Sequence, residues 1–184
     1  MASLESASFK MEVSGAPVQI EGLEFASAKG NYSTPASAAA VLEMRFGTAT
    51  VEMSTISIDD RTWLTDPLSG NWSELPPGLG FNPAIVFGPE GWAAMLTTDL
   101  GGTDDDERGG NYLLTGSVAA ERVDLLTAGI VADQQVEIEL VVDSETFHVL
   151  TADFSTTADE GITDWHIELG SFDGVVTINA PASV

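Results

Sequence analysis

The chain lacks cysteine altogether, so neither disulfides nor thiolate metal sites are available to it, and no cysteine within it can carry a lipid. Basic residues are scarce: six Lys and Arg stand against 29 Asp and Glu in 184 residues, a formal net charge of −23. Such a surface repels nucleic-acid phosphates and anionic membranes, because no basic patch exists to release counterions. No apolar run approaches the roughly 18–20 residues of a membrane span. The opening MASLESASFK has neither the charged leader nor the apolar stretch of a signal peptide, which leaves a cytosolic protein or a trimmed export product as the expectation. Catalytic signatures are missing too. There is no G-x-S-x-G, H-E-x-x-H, P-loop or dinucleotide fingerprint, so neither an enzyme nor a cofactor is expected. Carboxylate pairs carry no information here, since 29 acids make accidental pairs inevitable.

What is present is a globular composition, 43% hydrophobic and 19% charged. At this length a chain buries roughly 70% of its unfolded surface, enough for one domain over residues 1–184 without a covalent staple. Most of it alternates apolar and polar residues, the period of a half-buried antiparallel strand. Phe9, Met11 and Val13 alternate with polar neighbours, and a turn over 15–17 leads to a second strand at 23–33, ended by Pro35. Leu42, Met44 and Phe46 share one face of the third strand, as do Val51 and Met53 on the fourth. There a shift of parity to Ile56 and Ile58 predicts a bulge. Asp59 and Asp60 turn the chain into 61–65. Later strands are predicted at 112–118, 136–142, 147–156, 163–169 and 175–179, with a short helix over 119–127 ended by Gly129.

The rhythm breaks between residues 71 and 100. NWSELPPGLGFNPAIVFGPEGWAAMLTTDL abandons alternation for prolines, glycines and two short apolar clusters. Asn82-Pro83 has the residue types of an N-cap followed by proline at the first helical position. Gly88-Pro89 restarts the pattern, and Trp92, Met95 and Leu96 fall at i, i+3 and i+4. A loop with two short helices, inserted into a meander, needs an apolar surface to lie on. Helices laid over the greasy face of a sheet leave room for a cavity between the layers. Residues 101–110 read as a polar, acidic loop.

The order of elements resembles the LppX/LprA/LprF/LprG bacterial lipoprotein family (LppX_LprAFG). The matching stretches are SASFKMEVSG, AVLEMRFGTATVEM, and IDDRTWLTD leading into NWSELPPGLGFNPAIVFGPEGWAAML, then NYLLTGSVAAERVDLL, VEIELVVDSETFHVLTADF and WHIELGSFDGVVTINAP. They run in order over nearly the whole chain, and the tryptophan, Asn-Pro and Gly-Pro of one insert are the most specific part. The resemblance implies an α+β fold: a strongly curved antiparallel sheet, or half-barrel, with short helices covering its concave apolar face, as in LolA/LolB-like lipoprotein carriers. It implies an exported lipoprotein, anchored to the membrane at the bacterial cell envelope. Its function there would be non-catalytic binding and transport of acylated lipids, glycolipids or lipoglycans in the cavity between sheet and helices. The family carries a signal peptide, a lipidated cysteine and a long amphipathic helix ahead of the first strand. None is in this chain, which is read as starting after the anchor or as a divergent member; a monomer is expected.

On that resemblance the cavity wall is expected from Leu42, Met44, Phe46, Val51 and Met53, from Ile85, Phe87, Trp92, Met95 and Leu96 in the covering layer, and from Ile138, Leu140, Phe147 and Val149. An acyl chain needs a dry, shape-tolerant wall, and burying each CH₂ contributes about 0.8 kcal/mol. Read without the resemblance, the same residues are a close-packed core. That reading makes the chain a structural or protein-interaction envelope domain with an acidic surface. An esterase would need an activated nucleophile, which the sequence does not offer. Outward parity of His148 and His166 predicts solvent exposure rather than a metal centre. Asp104, Asp105, Asp106 and Glu107 lack the alternating ligands of an EF-hand and read as a solvated loop.

Overall fold

Turn chemistry and alternation divide most of the chain into strands. Asp59 takes a left-handed φ of 53° and Gly47 one of 61°, the conformations that tight reversals need. The computed structural model of the protein describes residues 4–20, 22–77, 82, 86, 101–104 (backbone only), 110–127, 129–158 and 160–182. Among these, twelve strands form one antiparallel sheet: β1 Ser6–Gly15, β2 Val18–Ile20, β3 Leu23–Ser33, β4 Ser37–Phe46, β5 Ala49–Ile58, β6 Arg61–Thr65, β7 Trp72–Glu74, β8 Gly101–Asp104, β9 Asn111–Val118, β10 Val136–Asp143, β11 Val149–Ala158 and β12 Gly161–Gly170. One helix, α1, spans Ala120–Leu126.

The strand order is β7-β6-β5-β4-β3-β1-β12-β11-β10-β9-β8, with β2 paired to β3 off this path. Two meanders, β1–β7 and β8–β12, are thus joined where β1 pairs with β12. The sheet is open, and its outermost strands are short, three residues in β7 and four in β8. Short edges offer little template for a foreign strand. Segments before β1 and after β12 are tied together. The Asp173 N–H donates to Ser6 O at 2.9 Å, and the Glu5 N–H donates to Asp173 Oδ1 at 2.8 Å.

Register decides which residues share a face, since directly paired residues point the same way. One ladder runs Leu114–Leu140–Ala152–Ile167–Met11–Ala28–Leu42–Met53 across eight strands. A neighbouring ladder runs Ile138–Phe154–Trp165–Val13. Trp165 is 1% exposed and stacks on Phe154, with ring centroids 5.8 Å apart and planes 3° from parallel; Phe25 lies 6.4 Å away. Its Nε1–H donates to the buried Thr156 hydroxyl at 2.9 Å, so the indole is buried without an unpaired donor. From α1, Val123 and Leu126 enter the same core. Each fully buried side chain of this size contributes about 1.5–3 kcal/mol.

Several expectations need correction. β5 pairs with β4 without a register shift from Ala49 to Ile58, so there is no bulge at Ile56; Ile56 and Ile58 simply face the other way. The bulges lie instead at 25–27 in β3 and between the 141 and 142 pairings of β10 with β11. Residues 72–74 and 101–104 are strands rather than loop, because each finds a free edge to pair with. Residues 175–179 form no strand: β12 already has β1 and β11 on its two sides, and Val175 is fully exposed. Of the two helices expected over 82–100, only Asn82 and Val86 are described, Val86 as a helical residue wholly buried in the core. The described residues therefore form an open antiparallel sheet with one helix.

Gly30 lies between Phe9 and Ala40, and a Cβ on it would sit 2.0 Å from the Ala39 carbonyl oxygen. Two paired strands would have to part to admit it. Gly30→Ala is expected to destabilise the protein by on the order of 3 kcal/mol, read as a lower urea midpoint.

Candidate functional site

The two faces of the sheet differ in chemistry. The face that packs with α1 is apolar, and the structure divides the expected wall residues three ways on it. Leu42, Met44, Ile138, Leu140 and Val149 are buried there, and Met53 and Val51 stand partly buried opposite Leu42 and Met44. Val149 reaches this face only through the bulge. By alternation with Thr151 and Asp153 it belongs on the polar side, but the irregular step pairs it with buried Val142.

Two aromatics do not reach the core. Phe46 has the right parity but ends β4 beside a turn and is 67% exposed. Phe147 lies before β11, not in it, with φ of 56° and 62% exposure, stacked on Tyr112 at 6.3 Å. An Asx turn forces this: Asp143 Oδ1 accepts from the Thr146 N–H at 2.7 Å and from the Glu145 N–H at 3.0 Å. Ile85, Phe87, Trp92, Met95 and Leu96 lie outside the described residues. Met11, Phe25, Phe154, Trp165 and Ile167 share the apolar core and were not among the expected wall residues. The alternation of Trp165, Ile167 and Leu169 is a signal that finds two of them, whereas the bulge hides Phe25.

The opposite face is polar and strongly acidic. A hollow of about 1040 Å³ over β1, β12, β11, β10 and β9 is lined by Glu12, Glu137, Glu139, Asp153 and Asp164, with His166 among them. His166 Nδ1 lies 2.5 Å from Asp153 Oδ1, and Nε2 lies 3.2 Å from Glu168 Oε1. The hydrogen bond with Asp153 raises its pKa above the ordinary histidine value, partial burial opposes that, and Glu168 raises it further. His148 precedes β11 and packs on Phe172 at 4.3 Å. No group of three or more His, Cys, Asp or Glu among the described residues is arranged to hold a metal ion.

Two buried donors lack hydrogen-bond partners among the described residues: Trp63 Nε1 and Arg122 Nη1. Trp63 is on the polar face yet 2% exposed, because the Arg61 guanidinium lies 4.6 Å over its ring and grips Glu74 at 2.8 and 2.7 Å. Arg122 lies one helical turn before buried Leu126 on α1, at the margin of the packed stripe.

These features define a class: an α+β protein built on one wide antiparallel sheet with a single apolar face under a helix. The chain belongs to the LppX_LprAFG lipoprotein family, whose model matches residues 1–178. It is similar to the crystal structure of LprF from Mycobacterium bovis, at 16% identity and a TM-score of 0.69, over 99% of this chain and 91% of that one. It is also similar to that of the lipoprotein LppX from Mycobacterium tuberculosis, at 16% identity and a TM-score of 0.61, over 96% and 91%. At such identities the likeness speaks for the fold alone. No curated protein matches by sequence. No helix among the described residues is long and apolar enough to cross a membrane.

Because its folded pKa is raised, His166 adds stability that is complete below the unfolded value of about 6.5 and is lost as the pH rises through the folded value. The groups facing it are Asp153 from β11, Asp164 and Glu168 from β12, and Glu12 from β1, the last paired to Lys10 at 2.8 Å. Raising the pH from about 6 to about 9 should therefore lower the thermal midpoint of the parent more than that of His166→Gln. Asp153→Asn should bring the imidazole titration, followed by NMR, back toward the ordinary value.

Proposed function

We propose that the protein is a non-catalytic carrier of acylated lipids or lipoglycans at the bacterial cell envelope, acting as one lipid-binding domain over residues 1–184. The observation that carries this reading is the unbroken apolar ladder across eight strands, packed against α1 in a chain of a lipoprotein family. Acyl chains would lie along Leu42, Met44, Val51, Met53, Ile138, Leu140 and Val149, where each buried CH₂ adds about 0.8 kcal/mol. Leu and Met give such a wall tolerance for a sliding, flexible chain. Ile85, Phe87, Trp92, Met95 and Leu96 would supply the covering side, a half-barrel closed over its concave face. Phe46 and Phe147, both exposed, would stand at its margins.

Arg122 adds a polar handle. Its Nη1 is buried without a partner among the described residues although the chain carries 29 acids, and a head-group phosphate or carboxylate would satisfy it. Among the described residues no group is arranged as an activated nucleophile, which supports transport over hydrolysis.

Native mass spectrometry of protein purified from a bacterial envelope, followed by organic extraction, tests the reading. A stoichiometric diacyl or triacyl species is expected. A clean protein mass, with no saturable signal from a dye that binds dry cavities, would instead mean a filled core and an interaction domain. Met53→Glu places a carboxylate at a partly buried point of the ladder and should cut lipid occupancy by about tenfold or more while the thermal midpoint changes little. Arg122→Met should reduce occupancy by anionic lipids and spare neutral ones.

A further inference from the structure

The polar face carries a second hollow, of about 600 Å³, whose chemistry is unlike that of the acidic one beside it. Two adjacent cross-strand rows build it. Ser8, Asn31, Ala39 and Ile56 pair in sequence across β1, β3, β4 and β5. Lys29 pairs with Val41 and Val41 with Ser54, whose N–H donates to Thr65 Oγ1 at 2.7 Å; Thr65 in turn pairs with Trp72 on β7. The apolar lining on this face is Ala39, Val41 and Ile56, with the half-buried Trp72 indole as its large flat surface.

Four polar residues with the parity of this face line the hollow, Ser8, Lys29, Asn31 and Ser54, whereas Thr55 belongs by register to the other face. None of those four side chains makes a hydrogen bond or an ion pair among the described residues. Among the described residues no carboxylate lines the hollow, and Lys29 is the one ionisable group there. Lys29 also lies directly across from Lys10, so two of six basic residues adjoin at its edge. A like-charged cross-strand pair disfavours the fold slightly, which makes it a poor device for stability.

Ligand classes can be sorted against this lining. An acyl chain would leave four polar groups dry and unpaired. A cation would meet Lys29 and no carboxylate. A bare phosphate would find one lysine and no guanidinium fork. A sugar ring fits every part: its C–H face stacks on an indole, while its hydroxyls both donate and accept, as Asn and Ser side chains do. The volume lies within the range of small-molecule sites.

We propose that this hollow is a saccharide-binding site, with Trp72 as the stacking platform, Asn31, Ser8 and Ser54 as hydrogen-bonding partners, and Lys29 favouring sugars that carry an acidic substituent. The proposal does not rest on the lipid reading, because the hollow lies on the face opposite the apolar ladder.

The test is an array of immobilised neutral and uronic-acid-containing oligosaccharides probed with the whole chain, then titration of the best binder in solution. Saturable binding is expected, weakened by about tenfold or more in Trp72→Ala and largely retained in Trp72→Phe. Lys29→Glu should weaken uronic-acid sugars more than neutral ones. Asn31→Ala changes an exposed position and should lower affinity without moving the thermal midpoint, which keeps the test decisive if loss of Trp72 disturbs the short edge strand. Failure of every oligosaccharide to bind, or binding that survives both Trp72→Ala and Asn31→Ala, overturns the proposal.

Discussion

The pairing of β1 with β12 joins residues near opposite ends of the chain, Ser8 with Gly170 and Gly15 with Thr163. Every other feature depends on it. Without it there are two separate meanders, each with an unpaired long edge and half of an apolar face. With it, Met11 continues the row that Ile167 begins, and one ladder crosses eight strands. Side-chain bonds from the two strands to the segments flanking them hold the same seam. The Ser6 hydroxyl donates to Gly174 O at 2.7 Å, and the Thr163 hydroxyl donates to Ala16 O at 2.9 Å. Contacts of such sequence separation form late and slowly, so the seam is also where folding is most exposed to error.

The ladder divides the molecule chemically. Apolar groups gather on one face with α1, and most charged side chains of the long strands fall on the other. Spreading so many carboxylates over a surface costs stability through mutual repulsion, and three cations offset it locally in ion pairs. Arg61 grips Glu74, Arg45 meets Glu24 at 3.0 Å, and Lys10 meets Glu12. His166 is the titratable member of this set. Against that background the hollow around Trp72 is lined by no carboxylate among the described residues. One face is suited to apolar chains and the other to polar ligands, so the two proposed activities need not compete for space.

Alternation made most of the fold legible. Period alone puts Leu42 and Met44 on one face and Ile138 and Leu140 on one face, and register brings the four to a common side. The misplacements share a cause. The shift of parity to Ile56 and Ile58 predicts a bulge; the strand instead stays regular, and Trp63, paired with Ile56, gives that end of the polar face its own apolar cover. Alternation starts a strand at Phe147, but the Asp143 side chain captures the local N–H groups first. Strands at 72–74 and 101–104 left no signal, since short polar segments pair only when a neighbour offers an edge.

By itself the sequence determined the class of element, the apolar parity of the long strands and the family, because side-chain period and turn residues act over a few neighbours. It also determined the charge. Only the tertiary structure decided that the first and last long strands pair, that a bulge returns Val149 to the apolar side, and that Trp72 lines a hollow together with Lys29 and Asn31. Those outcomes depend on register between strands far apart in the chain. A slip of one residue would exchange the faces, and no local pattern carries that information.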